Sequence, residues 1–520
     1  MKSINLFALA ICLMFTVTGS SQEITWGDKV PNLSYGPFKL VQLKDNNFFT
    51  ITQKSGFSDK ECLHYYENFV LKSENQLKIE YNDTSYRYFD SKIVNEKFYI
   101  FSKNLSYYHG RLLVQEYDEN CLPSGVPKEL MTLEESDATR YEFLVKESEN
   151  KEFIVVLSKV YGAHNNNPHL IYKVFTKNFD VVHEGKYTFP KKDRWGGFYS
   201  NELLTNTGDL FFVVEQDTST TQGKLFSFFR ANRFELKECP VRMSYDFVSK
   251  LGLVESENHQ LLCTGLFGLQ PKSVDGIFSC EIDFDLSVKK NESSVPLVED
   301  YLFDKTSRQL GAYNFLEVVR TDQGFFVLVE QTSGSTGGVS YTAPSETITS
   351  SANVSSNSTQ LSMGTVSSTV PLGYWNYLIL YRINNTGIID WHNKIEKNQI
   401  GGYESRYTSC IGNVEGDKYI LYFNDNVKNY DSEGSFTGDV KKNSVYETSI
   451  DSDGKDVKNN TLVRVVIDLS SGNYERKSFI TGEKSGMAAS PKNFIFNNVK
   501  REFLIYFQVD KEAQFGILKI

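Results

Sequence analysis

Short apolar runs rich in Val, Ile, Leu, Phe and Tyr recur along the chain in one repeated phrase. An extended stretch ends in a tight polar turn, an apolar run follows, and after a gap of variable length a second apolar run appears. The clearest copies are GFYSNELLTNTGDLFFVVEQ at Gly197–Gln216 and YNFLEVVRTDQGFFVLVEQ at Tyr313–Gln331. Asp246–Gly265 and Arg140–Lys159 have the same form. The runs are of strand length and bounded by turn residues, and no segment keeps a helical period between caps. The pattern predicts an all-β chain. Repeats of this period built only from strands point to a single β-propeller.

Each copy supplies one blade of four antiparallel strands, A to D from the axis outward. The A strands are predicted near Phe38–Leu43, Tyr86–Val94, Tyr141–Lys146, Phe198–Leu204, Phe247–Val254, Phe315–Arg320, Arg406–Gly412 and Phe494–Asn497. That makes about eight blades, or about seven if one end copy is degenerate. The last recognisable run, Phe515–Ile520, is a C strand, so the final blade lacks its outer strand. Ring closure removes open sheet edges. Glu23–Leu33 is therefore expected to complete the last blade.

Strand parity sorts the connections. In a four-strand meander the A–B and C–D turns share one face, and the B–C and D–A loops share the other. Candidate A–B turns are short and polar, as in Lys44-Asp45-Asn46 and Thr207-Gly208-Asp209. The B–C connections carry nearly all the added length, including Gly162–Pro168, Gln216–Gly223 and Gly265–Gly276. Two of them are insertions, Ser333–Ser368 and Asn424–Thr461. Long loops gathered on one face of a rigid scaffold are where binding usually sits. The first insertion is Ser-, Thr- and Gly-rich and almost uncharged, which predicts a linker-like loop. A hairpin continuing strands B and C is the other reading, because Thr and Val recur in it.

Composition narrows the function classes. Aromatic content is 14%, with 30 Tyr and 38 Phe, which suits pleated, half-buried surfaces. Residues 1–21 have the form of a signal peptide: Lys2, an apolar core at Ile4–Val17, then Gly19-Ser20-Ser21. Residues 22–520 are expected to form the propeller, exported to a periplasmic, cell-surface or secreted location. No later stretch approaches the ~20 apolar residues of a membrane helix. A net charge of −10 argues against nucleic acid, whose phosphates need a basic field. Six cysteines lie beyond the signal segment, and an even count in an exported chain permits disulfides. Cys263 and Cys280 fall in successive apolar runs of one repeat and could face each other; buried thiols in strands are the equally open reading.

Candidate chemistry is sparse. There is no G-x-S-x-G elbow, no Walker loop and no H-E-x-x-H. No cofactor is expected. Asp451, Asp453 and Asp456 cluster around Gly454 like part of a calcium loop, but the spacing departs from that motif and a solvated acidic turn is the simpler reading. His164 and His169 have a spacing that could bind a metal, but a turn is the simpler reading. Trp391 reads as a blade-packing aromatic. Trp195 sits in Arg194-Trp195-Gly196-Gly197, a D–A loop on the long-loop face. With Asn424, Asp425, Asn426 and Asn429 at the entrance of the second insertion, it completes the candidate binding residues.

The stretches YWNYLILYRINNTGIIDWHNKIEKNQ and RYTSCIGNVEGDKYILYFNDNVKN carry a resemblance. They are similar to uncharacterised exported β-propeller-like proteins of Bacteroidetes-type bacteria in a Trp-x-x-Lys-Ile turn and a Phe-Asn-Asp-Asn…Asn motif. The matching residues here are Trp391, Lys394, Ile395, Phe423, Asn424, Asp425, Asn426 and Asn429. The resemblance implies export and carries no activity. The expected function is non-enzymatic binding of a protein or glycan through the long B–C loops. The alternative is a polysaccharide hydrolase or lyase with carboxylates at the channel mouth.

Overall fold

The computed structural model describes residues 24–31, 39–54, 60–104, 110–133, 138–162, 167–189, 198–216, 225–245, 247–255, 260–269, 274–286, 289–297, 313–341, 368–402, 407–437, 445–446, 460–478, 488–497, 499–509 and 512–520. Their strands fall into eight sheets. The chain is an eight-bladed β-propeller. Blades 1 to 5 are meanders beginning with A strands at Lys39–Lys44, Thr84–Val94, Ala138–Glu147, Phe198–Leu204 and Phe247–Glu255. In blade 6, Tyr313–Thr321, Gly324–Tyr341, Ser368–Asn384 and Ile389–Gly402 run from A to D. In blade 7 the order is Ile411–Glu415, Lys418–Asn426, Asn460–Asp468 and Tyr474–Ser478.

Blade 8 closes the ring as expected. Its inner strand is broken into Ala488–Ala489 and Ile495–Asn497 by a 3₁₀ turn at Pro491–Asn493, and Glu502–Val509 and Glu512–Lys519 follow. Ile24–Pro31 then pairs antiparallel with Glu512–Lys519, from Ile24 opposite Leu518 to Pro31 opposite Glu512. Trp26 meets the ring of Phe507 edge-on at 5.2 Å. The terminal strand thus satisfies an edge that would otherwise present unpaired N–H and C=O groups.

The core is not one mass but eight clusters, each filled by two neighbouring blades. Alternation along each central strand sends one set of side chains to the preceding blade and the other to the next. Val155 and Leu157 pack on Leu210 and Phe212 of blade 4, while Ile154 and Val156 pack on Phe101 and Leu112 of blade 2. The cluster joining the two ends of the ring contains Phe48, Tyr66, Leu504, Tyr506 and Phe515. Phe48 stacks on Tyr66 at 4.9 Å and touches Phe515 at 4.9 Å. Such aromatic pairs are worth about 0.5–1.5 kcal/mol each beyond their buried area.

The turns on the short-turn face use left-handed residues. A–B turns place Asp45, Asn95, Lys151 and Arg501 at φ of 52°, 51°, 58° and 54°. C–D turns repeat a device that the sequence pattern did not announce. Phe69, Cys121, Phe179 and Leu286 have φ of 67°, 59°, 61° and 60°, and all four side chains are buried. A modest backbone cost is accepted there because the side chain fills a blade interface.

Candidate functional site

The long-loop face is built most elaborately at blades 6 and 7. Strands B and C of blade 6 stay paired far past the ring, to Tyr341 opposite Ser368. Strand D follows them as far as Gly402 opposite Leu372. Among the described residues the inner strand pairs no further than Tyr313 opposite Gln331; past that point strands B, C and D run together to Ser335, Leu372 and Gly402, and B and C alone from Val339 to Tyr341. The linker-like reading of Ser333–Ser368 is therefore corrected at its flanks, because the hydrogen-bonded ladder continues into them. Residues 342–367 lie outside the described residues.

The second insertion reaches the outer edge of blade 6. Val445–Tyr446 pairs in parallel with Gln399 and Ile400 on the outer edge of blade 6. Nearer its start, the chain folds back on blade 7: Thr437 N–H donates to Asn429 C=O at 2.9 Å and Ser478 N–H to Gly434 C=O at 2.8 Å.

That fold-back buries the residues expected to form an exposed binding surface. Asn424, Asp425 and Asn429 are fully buried, and Asn426 nearly so. Asp425 is a hub. Its Oδ2 accepts from Tyr430 Oη at 2.7 Å and from Arg476, and its Oδ1 accepts from Asn429 Nδ2 at 3.0 Å. The Arg476 guanidinium lies over the rings of Phe436 at 4.2 Å and Phe423 at 5.0 Å. Asn424 Nδ2 donates to the carbonyls of Tyr407 and Ala489 at 2.8 and 2.7 Å, tying blade 7 to blade 8. Asn426 caps the 3₁₀ turn at Val427–Asn429 by accepting from Lys428 N–H. In sequence these residues look like a solvated loop; in the structure they replace hydrogen bonds the backbone loses where the strand ends.

A second buried network lies beside it, between blades 6 and 7. Lys397 pairs with Glu330 and donates to Gln399 Oε1 at 3.0 Å. Ser409 Oγ donates to the other Glu330 oxygen at 2.8 Å, and Gln399 Nε2 donates to Asn424 C=O at 2.8 Å. Burial raises the pKa of the adjacent Cys410 thiol, with Lys397 opposing. Every charge here has a partner, as buried charges require.

Toward the axis, the inner strands of blades 1 to 4 are linked by ion pairs. Lys39 reaches Asp90 at 3.0 Å, Lys92 reaches Glu147 at 3.5 Å, and Lys146 reaches Glu202 at 3.1 Å. Glu202 sits where the blade 4 inner strand breaks register between Tyr199 and Leu203. Its side chain is fully buried, and Lys159 approaches its other oxygen at 3.7 Å. Lys146 donates its hydrogen bond to the Glu202 carbonyl at 2.8 Å, so the carboxylate is held by charge without an aligned hydrogen bond. Burial lowers the pKa of Lys159, while Glu202 and Glu142 raise it. Glu142 stands directly opposite Lys159 on the ladder. Nothing in the sequence marked these residues, because charges on alternating strand positions read as ordinary solvent-facing side chains.

Trp391 is a blade-packing residue: its Nε1 donates to Leu469 C=O at 3.1 Å and its ring contacts Phe326 at 6.2 Å. A Cβ at Gly472, which has φ of 73°, would lie 2.6 Å from that indole. Trp195, His164, Asp451, Asp453 and Asp456 lie outside the described residues. Among the described residues there is no cluster of three His, Cys, Asp or Glu side chains placed for a metal. No described helix is long and apolar enough to cross a membrane.

No protein-family model matches the chain, and no curated protein matches it. Among solved structures it is similar to the β-propeller domain of the Trilobed protease from Pyrococcus furiosus, with TM-score 0.32 and 9% identity over 70% of this chain and 96% of that one. It is also similar to Penicillium chrysogenum α-L-arabinanase, with TM-score 0.30 and 10% identity over 58% of this chain and 94% of that one. A polysaccharide lyase, the PL25 ulvan lyase, gives TM-score 0.34 and 11% identity over 58% and 77%. These likenesses assign no chemistry. Blade count and closure rest on the chain's own strand pairing.

Proposed function

We propose that this propeller is an exported binding module that engages a protein or glycan partner through its B–C loop face. The observation that carries this reading is the extension of blade 6, whose B and C strands stay paired beyond the ring through two register shifts, with strand D alongside as far as Leu372. A sheet held by its own ladder and braced at its edge by Val445–Tyr446 is a preorganised platform, and preorganisation lowers the entropic cost of binding. The buried networks at Glu330–Lys397 and Asp425–Arg476 support it by fixing the base of both insertions to the blades. The test is a cross-linked pull-down from the native envelope with the mature chain and with a folded variant lacking residues 333–368. A partner held by the first and lost by the second supports the reading. Capture by both moves the contact to the other loops, and capture by neither overturns it.

The second reading is a polysaccharide hydrolase or lyase. It is favoured by Glu142 and Glu202, two carboxylates acting on Lys159 near the axis. Glycoside hydrolysis employs a pair of carboxyl groups, and proton abstraction employs a base whose pKa is shifted toward neutrality. Depolymerisation of a polysaccharide panel by the mature chain, lost in Glu142→Gln, would favour it over binding alone.

A further inference from the structure

Cys263 and Cys280 occupy directly opposite positions on the B and C strands of blade 5. Opposite residues of an antiparallel pair share a face, so both thiols point into the interface with blade 4, among Phe211, Val213 and Phe228. Both are fully buried. Facing Cα atoms in such a ladder are about 4.5–5.5 Å apart, inside the ~4.4–6.8 Å range that a disulfide spans. The other described cysteines are placed differently: Cys62 faces Gln76, Cys239 faces Phe228, Cys121 lies in a C–D turn, and Cys410 lies before the inner strand of blade 7. Neither thiol of the facing pair is in a disulfide in this structure.

We propose that Cys263 and Cys280 are an oxidisable pair, closed into a cross-strand disulfide when the chain folds in an oxidising compartment. The step is thiol–disulfide exchange with an external disulfide. The thiolate of one cysteine attacks that disulfide and forms a mixed disulfide, releasing the first thiolate of the reagent. The second cysteine thiolate then displaces the other. Two protons leave the protein, its two thiols are oxidised, and the reagent leaves as a dithiol or as two thiols. Because the folded pair is sealed from solvent, exchange occurs before the blade 4–5 interface closes. The bond tethers the two central strands of blade 5 beneath their B–C connection and removes conformational freedom from the unfolded chain. The natural oxidation state rests on the export reading; the capacity to form the bond does not.

The experiment is alkylation with iodoacetamide in denaturant without reductant, followed by tryptic mass spectrometry. It is applied to chain exported to a periplasm and to reduced chain refolded with oxidised glutathione. The expected result in both is one species joining Leu251–Lys272 to Ser273–Lys289, two hydrogens lighter than the sum of the free peptides, with the remaining cysteines alkylated. Reduction should lower the thermal midpoint of the linked protein, and Cys263→Ser should abolish that sensitivity. Free thiols after both treatments overturn the proposal. A bond formed on refolding but absent from the exported chain overturns its natural occurrence while leaving the geometry intact.

Discussion

Arg476, in the outer strand of blade 7, reaches inward to pair with Asp425 at the end of the second strand of the same blade. Both side chains are almost completely buried. Tyr430 bridges them, donating to the carboxylate and accepting from Arg476 Nε at 2.7 Å. The pair locks the start of the second insertion onto the blade. Removing one partner leaves an uncompensated buried charge. Arg476→Met should therefore destabilise the protein by roughly 3–5 kcal/mol. Replacing both residues with apolar ones of similar volume should recover much of that loss. Guanidinium unfolding of the single and double variants checks it.

The terminal strand makes a second expectation. Deleting residues 22–33 removes the outer strand of blade 8 and bares the edge of Glu512–Lys519. The truncated chain should melt earlier and aggregate, and a synthetic peptide of the missing residues added during refolding should restore a monodisperse species. Size-exclusion chromatography reads both outcomes. Unchanged melting and solubility would show that the ring holds without the strand.

The blade 3–4 interface supplies another. Glu202 is buried against Lys146 and Lys159. Changing both lysines to Met strands its charge, so the double variant should lose several kcal/mol, of the order of ~3–5. Adding Glu202→Leu should return part of it. Urea titration of the three chains separates lost charge pairing from lost packing.

A pH dependence follows from Glu317, which accepts a hydrogen bond from Tyr419. Burial raises its pKa above the ordinary value of 4.5, and the Tyr419 bond opposes that rise. Between the ordinary and the raised pKa, the native state keeps a proton that the unfolded chain has released. The stability contributed by this group is thus greatest in acid and declines as pH rises through that window. Glu317→Gln cannot titrate and should flatten this part of the profile. Unfolding free energies of both chains at pH 4 to about 7 test it, and parallel profiles would sink it.

Removing residues 342–367 should leave the fold intact, because every described pair of the ladder, to Tyr341 opposite Ser368, is kept and loop length costs little. A stability change within about 0.5 kcal/mol is expected. A larger loss would mean that the insertion tip packs on the ring.

Much of the architecture was legible because it rests on period. Alternating apolar runs, short polar A–B turns and a final blade one strand short led to eight blades and to closure by Ile24–Pro31. Trp391 reads as a packing residue because its turn occurs once and not in every blade, and its ring does contact Phe326. Asn424, Asp425, Asn426 and Asn429 were misjudged as exposed, because polarity alone does not say whether a side chain meets water or an orphaned carbonyl.

The sequence by itself determined the strand repeat, the placement of long connections on one face, and the donor of the closing strand. These depend on local turn chemistry and on a two-residue alternation, both carried by neighbours along the chain. Only the tertiary structure decided which charges are partners. Lys39 with Asp90, Lys146 with Glu202, Glu330 with Lys397 and Asp425 with Arg476 are each separated by dozens of residues. Their pairing is set by how adjacent strands and blades stack around the axis. The same stacking turned the flanks of a Ser- and Thr-rich insertion into strands, because a ladder already fixed at its base continues at little further entropic cost.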